Sequence, residues 1–242
     1  MKAYWKLTQT HLKVGLREWE VLFWNFILPL GFFFLFTFIF GHGTTRGVTI
    51  LLPGVLCSNA MSAAFYGLSV NLVYARESGT LRLFQVSGIH PGWLLASEFT
   101  FGILMLAGMM VLQVILAIVL FQVSIQGSLL AFTGLCLLSN AVFLSLSLFI
   151  AGIARTTRIA PVLASLFFFP FMFLGGATLP RQLLPESAKM VSTFFPSTYV
   201  VTGLHNIIET GGGLRDNAGV FGILLVFLAV SLGIAIKSFR WE

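Results

Sequence analysis

The groups best suited to directional polar contact gather in one short stretch, residues 75–85, ARESGTLRLFQ. Arg76, Glu77 and Arg82 offer charge-assisted hydrogen bonds to a soluble partner, and Leu81, Leu83 and Phe84 beside them offer an apolar anchor. Gly79 lets the chain turn there. A merely solvated loop accounts for the arginines but not for the Leu/Phe cluster. Other chemistry is sparse. No Gly-Lys pair occurs, and the GGG at 211–213 lacks the lysine a phosphate loop needs, so no nucleotide site is expected. His11, His42, His90 and His205 are too scattered to share a metal. His205 and Glu209, four apart, are placed to hydrogen-bond on a helix surface. Cys57 and Cys136 lie in apolar runs and read as small core residues. No ionisable residue sits mid-span, Glu98 at a span's end being the nearest, which argues against a proton-driven pump.

The elements that position these groups follow from composition. Charged residues make up 9% of the 242, against about 25% in soluble domains, and the mean hydropathy is +0.96. The chain therefore reads as an all-α polytopic membrane protein. Its net charge of +6 comes from basic residues standing singly at the ends of apolar runs, the pattern of membrane orientation and not of nucleic-acid binding. The first apolar run, from Val21, is too long for a cleavable leader. At roughly 20 residues per crossing, the apolar runs give six spans: Val21–Phe40, Ile50–Tyr74, Phe99–Phe121, Leu129–Ala154, Ile159–Leu179 and Ala218–Ile236. Lys2, Lys6, Lys13, Arg17, Arg76, Arg82, Arg155, Arg158, Lys237 and Arg240 then share one side, and only Arg46, Arg181, Lys189 and Arg215 the other. The basic excess places both termini in the cytoplasm.

Three further segments belong to this single domain, 1–242. Residues 2–20 form an interfacial helix, with Lys2, Lys6, Lys13 and Arg17 in one stripe and Trp5, Leu12, Leu16 and Trp19 in the next, as suits the headgroup layer of membrane lipids. Residues 75–98 form a cytoplasmic loop. Residues 180–217, punctuated by Pro185 and Pro196, are too apolar for a free loop and too interrupted for a span. They read as a re-entrant or interfacial helical pair on the outer side.

The spans themselves carry neutral polarity. Asn59, Ala63, Gly67 and Asn71 recur every four residues in the second span, and Gly54, Ser58, Ser62 and Tyr66 follow one position away. Small residues at this spacing admit close helix approach, and polar ones bond across it. The stripe fits either an interface between copies or a solute path, with Ala63 on the interface side and Asn59 on the path side. Asn25 and Thr37 in the first span, and Ser139, Asn140 and Ser147 in the fourth, allow the same two readings. Phe169 and Phe173, flanking Pro170, make the fifth span a lipid-facing filler or a greasy path wall.

Two motifs on this frame carry a family resemblance. RESGTL, Arg76 to Leu81, follows the second span, and GGATLPRQLLPESAKMVSTFFPSTYVVTGL, with Pro180, Pro185, Pro196, Thr198 and Tyr199, follows the fifth. With six spans and the amphipathic N-terminal helix, they resemble the permease subunits of type-2 ATP-binding-cassette (ABC) exporters over essentially the whole chain. Arg82 departs from the pattern, standing where many relatives carry an acid. The resemblance implies that Arg76, Glu77, Gly79, Thr80, Leu81 and Arg82 form a coupling element for a separate ABC ATPase subunit, which binds the ATP and Mg; none is expected in this chain. It also implies a second permease copy, as a homodimer in a prokaryotic inner membrane, and as cargo an amphipathic small molecule or lipid such as a drug or antibiotic. Lipid-linked polysaccharide is the alternative cargo. Two other classes stand against this reading. An intramembrane lipid-modifying enzyme needs a His/Glu/Asp/Ser constellation at one depth, which the spans do not supply, and a passive channel needs no ATPase.

Overall fold

The computed structural model describes residues 2–80, 91–178 and 185–238, and within them every regular element is helical. Helix α1, Lys2–Gly15, ends where Leu16 and Arg17 turn away. The interfacial helix is thus shorter than the expected 2–20, and Trp19 opens the next element. That element, α2, runs over 19–39 and contains a π-helical turn at Phe23–Ile27. Pro29 has no N–H to donate, and just before it the ladder widens: the Leu28 N–H reaches back to Phe23 O.

Helix α3, Thr45–Glu77, is 33 residues long. It starts where the Thr44 hydroxyl accepts the Gly47 N–H at 3.2 Å. At about 1.5 Å per residue it is roughly 50 Å long, well beyond the ~30 Å hydrocarbon layer. Arg76 and Glu77 are therefore its last turn, outside the hydrocarbon, and not part of a free loop as the 75–98 boundary supposed. A second π-helical turn interrupts α3 at Ala63–Leu68.

Helices α4 (Pro91–Phe121) and α5 (Leu129–Ile153) follow. Glu98 thus lies two turns inside a helix, not at its end. Helix α6, Ala160–Leu174, stops short of the expected Leu179 because Gly175 and Gly176 end it, Gly176 in the left-handed region at φ 79°. Ser197 donates to the freed Phe171 carbonyl at 2.9 Å. The helical pair expected after the fifth span is present as α7 (Glu186–Ser192) and α8 (Pro196–Glu209), and α9 (Ala218–Ser238) ends the described chain.

Four helices are long and apolar enough to cross a membrane: Thr45–Glu77, Gly92–Phe121, Leu129–Ile153 and Ala218–Ala235. The shorter apolar helices Asn25–Ile39 and Ala160–Leu174 stand where the first and fifth spans were expected. The bundle is centred on α3, whose span is 67% buried inside the protein, whereas that of α9 is only 17% buried and lies at the rim. Phe65 joins three helices edge-to-face, meeting Phe143 of α5 at 6.2 Å and Phe171 of α6 at 5.9 Å. Each such contact contributes about 0.5–1.5 kcal/mol beyond area burial. Helix α9 packs along α5, where the Ser145 and Ser231 hydroxyls bond. Helix α8 wedges among α3, α5, α6 and α9, and its end pairs with the 122–128 loop through Gly127 N–H to Ile207 O at 2.9 Å. His205 and Glu209 meet on its exposed face at 3.0 Å, as their spacing predicts. Both cysteines are buried and free.

Candidate functional site

Two groups of the expected site residues come together, at different depths. The first is at the end of α3. Its final turn does not hang free: Arg76 donates to the carbonyl oxygens of Ala151 (3.3 Å) and Ala154, at the C-terminus of α5. A guanidinium suits that helix end, where unpaired carbonyls and the negative pole of the dipole converge. The neighbouring Glu77 Oε2 accepts from the Thr157 N–H at 2.8 Å and from the Thr157 hydroxyl. These Thr157 bonds, hydroxyl first, with Arg158 and Arg76 nearby, hold the exposed Glu77 carboxyl below the usual carboxylate range. The bond is therefore made at neutral pH and lost only as falling pH protonates the carboxylate.

Arg76 and Glu77 thus clasp the 154–159 loop, which joins α5 to α6. Gly79 turns the chain away in the left-handed region at φ 77°, and the Ser78 and Thr80 hydroxyls bond at 2.9 Å. Leu81 and Arg82 lie outside the described residues, as does Pro180. Thr157 was not legible as a partner: it is 80 residues from Glu77, and its run, ARTTRI, reads as an ordinary basic loop.

The second group lines α3 higher up. The expected stripe divides at the π-helical turn. Before it, Gly54 and Asn59 turn into the bundle. The Asn59 amide is buried and donates to the Pro29 carbonyl of α2 at 3.5 Å, so the structure does not place Asn59 on an open face. From Ser62 onward the small and polar positions turn outward: Ser62, Ala63, Tyr66 and Gly67 are half-exposed and Asn71 is exposed.

Beside this face stands α6. Ser165 donates its hydroxyl to Pro161 O at 2.8 Å, so at the 2.9 Å contact with Tyr66 it is the tyrosine that donates. Tyr66 also packs against Phe168 at 5.6 Å. Phe169 and Phe173 stack at 6.4 Å and stand 50% and 44% exposed, continuing the open face. Asn25, half-buried, sits in the π-helical turn of α2 and is not on this face. Asn140 is buried in α5, and so is Gln113, unremarked in the sequence, in α4; neither side chain makes a hydrogen bond.

Of the segment after α6, Pro185 caps α7, Pro196 takes the first helical position of α8, and the Tyr199 hydroxyl donates to Thr193 O at 2.9 Å. These contacts close the helical pair on itself.

Comparison with known proteins agrees with this architecture. The profile of the ABC-2 type transporter family matches residues 2–208. ABC transporter G family member 20 of Dictyostelium discoideum is 25% identical over 203 residues, 83% of this chain and 28% of that protein. The linearmycin resistance permease protein LnrN of Bacillus subtilis (strain 168) is 28% identical over 95 residues, 39% of this chain and 25% of that protein. The inner membrane transport permease YhhJ of Escherichia coli (strain K12) is 26% identical over 170 residues, 70% of this chain and 46% of that protein. The chain thus spans a quarter to a half of the length of these relatives.

Proposed function

The chain belongs to the ABC-2 type transporter family, and from that premise we propose that it builds the export path for an amphipathic small molecule or lipid. A separate ATPase subunit drives the path, and two copies of this chain surround it. The observation that carries the reading is the open face running from Ser62 through Ala63, Tyr66 and Gly67 to Asn71, on a helix otherwise sunk in the bundle. Polar groups turned to lipid lose water without gaining partners, which is costly. A second copy or a solute path relieves that cost, and the exposed Phe169 and Phe173 give the face an apolar margin suited to an amphipath. The name of the Bacillus relative, a resistance permease, points toward the same kind of cargo.

Gly67 separates the interface from a lipid-facing surface. An added Cβ there meets nothing within 4 Å in the single chain, so Gly67→Leu leaves the fold intact. Against a packed second copy it overfills the contact by about 1–3 kcal/mol. Dimer recovery in mild detergent is expected to fall while monomer yield holds. Unchanged dimer recovery and export would assign the face to lipid.

Orientation has its own test. On a background lacking Cys57 and Cys136, Gly213→Cys should react with an impermeant thiol reagent from outside the cell. Ser78→Cys should react only after the membrane is opened. Gly213 suits the probe because an added Cβ comes no closer than 3.6 Å to Asp216, whereas at Gly212 it would press on Asn217 at 3.0 Å. Outside labelling at Ser78 in intact cells would reverse the placement of both termini in the cytoplasm.

A further inference from the structure

Helix α1 is divided into three faces, and only one of them meets protein. Tyr4, Thr8, His11 and Gly15, spaced three or four apart, turn toward α4. The Tyr4 hydroxyl lies 2.8 Å from Thr100 Oγ1 and its ring 5.8 Å from Trp93. His11 Nδ1 lies 3.4 Å from Glu98 Oε1, and its ring meets Phe101 at 6.2 Å. Because Thr100 donates to Ala96 O, Tyr4 is the donor in the first contact. The second face carries Trp5 and, past the helix end, Leu16, 62% and 54% exposed. The third carries Lys6 and Lys13, exposed and opposite the face that meets α4. No ion pair among the described residues uses either lysine or the nearby Arg17.

We propose that this basic face binds the anionic phospholipid headgroups of the bilayer, and that α1 passes the binding to α4 through its Tyr4 and His11 contacts. The charge is complementary, and the order of the faces selects the partner. With one face fastened to a membrane-crossing helix and the tryptophan face beside it seeking the hydrocarbon boundary, the lysines stand at phosphate level, turned away from the protein. A docking ATPase would instead meet groups at the loop end of the bundle, where Arg76 and Glu77 lie. Each lysine near an anionic surface adds about fivefold to its attraction, and salt screens the effect.

The test uses the full chain, free of Cys57 and Cys136, with an environment-sensitive fluorophore on Gln9→Cys, an exposed position between the tryptophan and lysine faces. It is placed in nanodiscs of phosphatidylcholine alone or with phosphatidylglycerol added. Emission should shift to the blue with phosphatidylglycerol, revert at high salt, and stop responding in Lys6→Gln/Lys13→Gln, whose spectrum in phosphatidylcholine still matches the parent. Equal emission in the two lipids, or a shift that survives in the double variant, overturns the proposal. So does a double variant that loses a co-expressed ATPase in phosphatidylcholine while the parent shows no lipid response, which would make the face a protein-docking surface. The readout needs neither cargo nor hydrolysis, so it stands apart from the exporter reading.

Discussion

Glu77→Lys is expected to abolish ATP-driven export while leaving insertion and ATPase co-purification at parental levels. The substitution removes the acceptor of both Thr157 bonds. It also sets a third cation beside Arg76 and Arg158, the charges that now surround the carboxylate. The 154–159 loop is then released from α3, and motion at the start of the 78–90 loop no longer reaches α5 and α6. Thr157→Val should reproduce the defect in weaker form, since it keeps the backbone N–H. Leu81→Asp, in the apolar part of the same loop, should act differently and strip the ATPase from the complex. Export is read as reduced accumulation of a panel of amphipathic dyes in cells expressing both subunits. Loss of the ATPase from Glu77→Lys would make Glu77 a docking residue after all. Full export in both Glu77→Lys and Thr157→Val would remove the clasp from the mechanism.

Gly54→Ala should be the most damaging single-methyl change in the chain. The Cβ it adds overlaps the Ala177 carbonyl oxygen and stands 2.9 Å from the carbonyl carbon. Backbone cannot swing aside as a side-chain tip can, so α3 must part from the turn after α6. Overpacking of this kind costs about 1–3 kcal/mol and occasionally more. It outweighs the gain of about 1 kcal/mol that alanine brings to a helix interior. Gly31→Ala is the control, because its Cβ meets nothing within 4 Å and it keeps the propensity gain. In detergent the apparent melting temperature of Gly54→Ala should fall by roughly 5–10 °C, while that of Gly31→Ala holds or rises. Equal shifts in the two variants would show that the turn yields, and that α3 is not pinned there.

The sequence disclosed what depends on local composition. Apolar runs located the membrane helices, Pro185 and Pro196 marked the broken helical pair, and Gly79 marked the turn after α3. What stayed hidden depends on contacts between distant segments. Nothing in the residues flanking Glu77 names Thr157, and Arg76 bonds to backbone oxygens, which every sequence supplies alike. The α4-facing side of α1 was overlooked for a related reason. Tyr4, Thr8, His11 and Gly15 are not a hydrophobic stripe, so the Trp and Lys stripes drew the eye while the mixed face made the contact. The four-residue repeat of the second span misled about Asn59 because it assumed an unbroken α-helix.

That interruption reaches to the far end of α3. An inserted residue advances everything after it by about 100° around the helix axis and about 1.5 Å along it. The wide turn at Ala63–Leu68 therefore sets the azimuth at which Ser69–Glu77 emerges. With the ladder closed to a regular α-helix by loss of one residue, Arg76 and Glu77 would leave the bundle pointing a quarter-turn or more away from Ala154 and Thr157. The phase of the helix in mid-membrane and the grip of two charged side chains at its tip are one setting, fixed by a single extra residue.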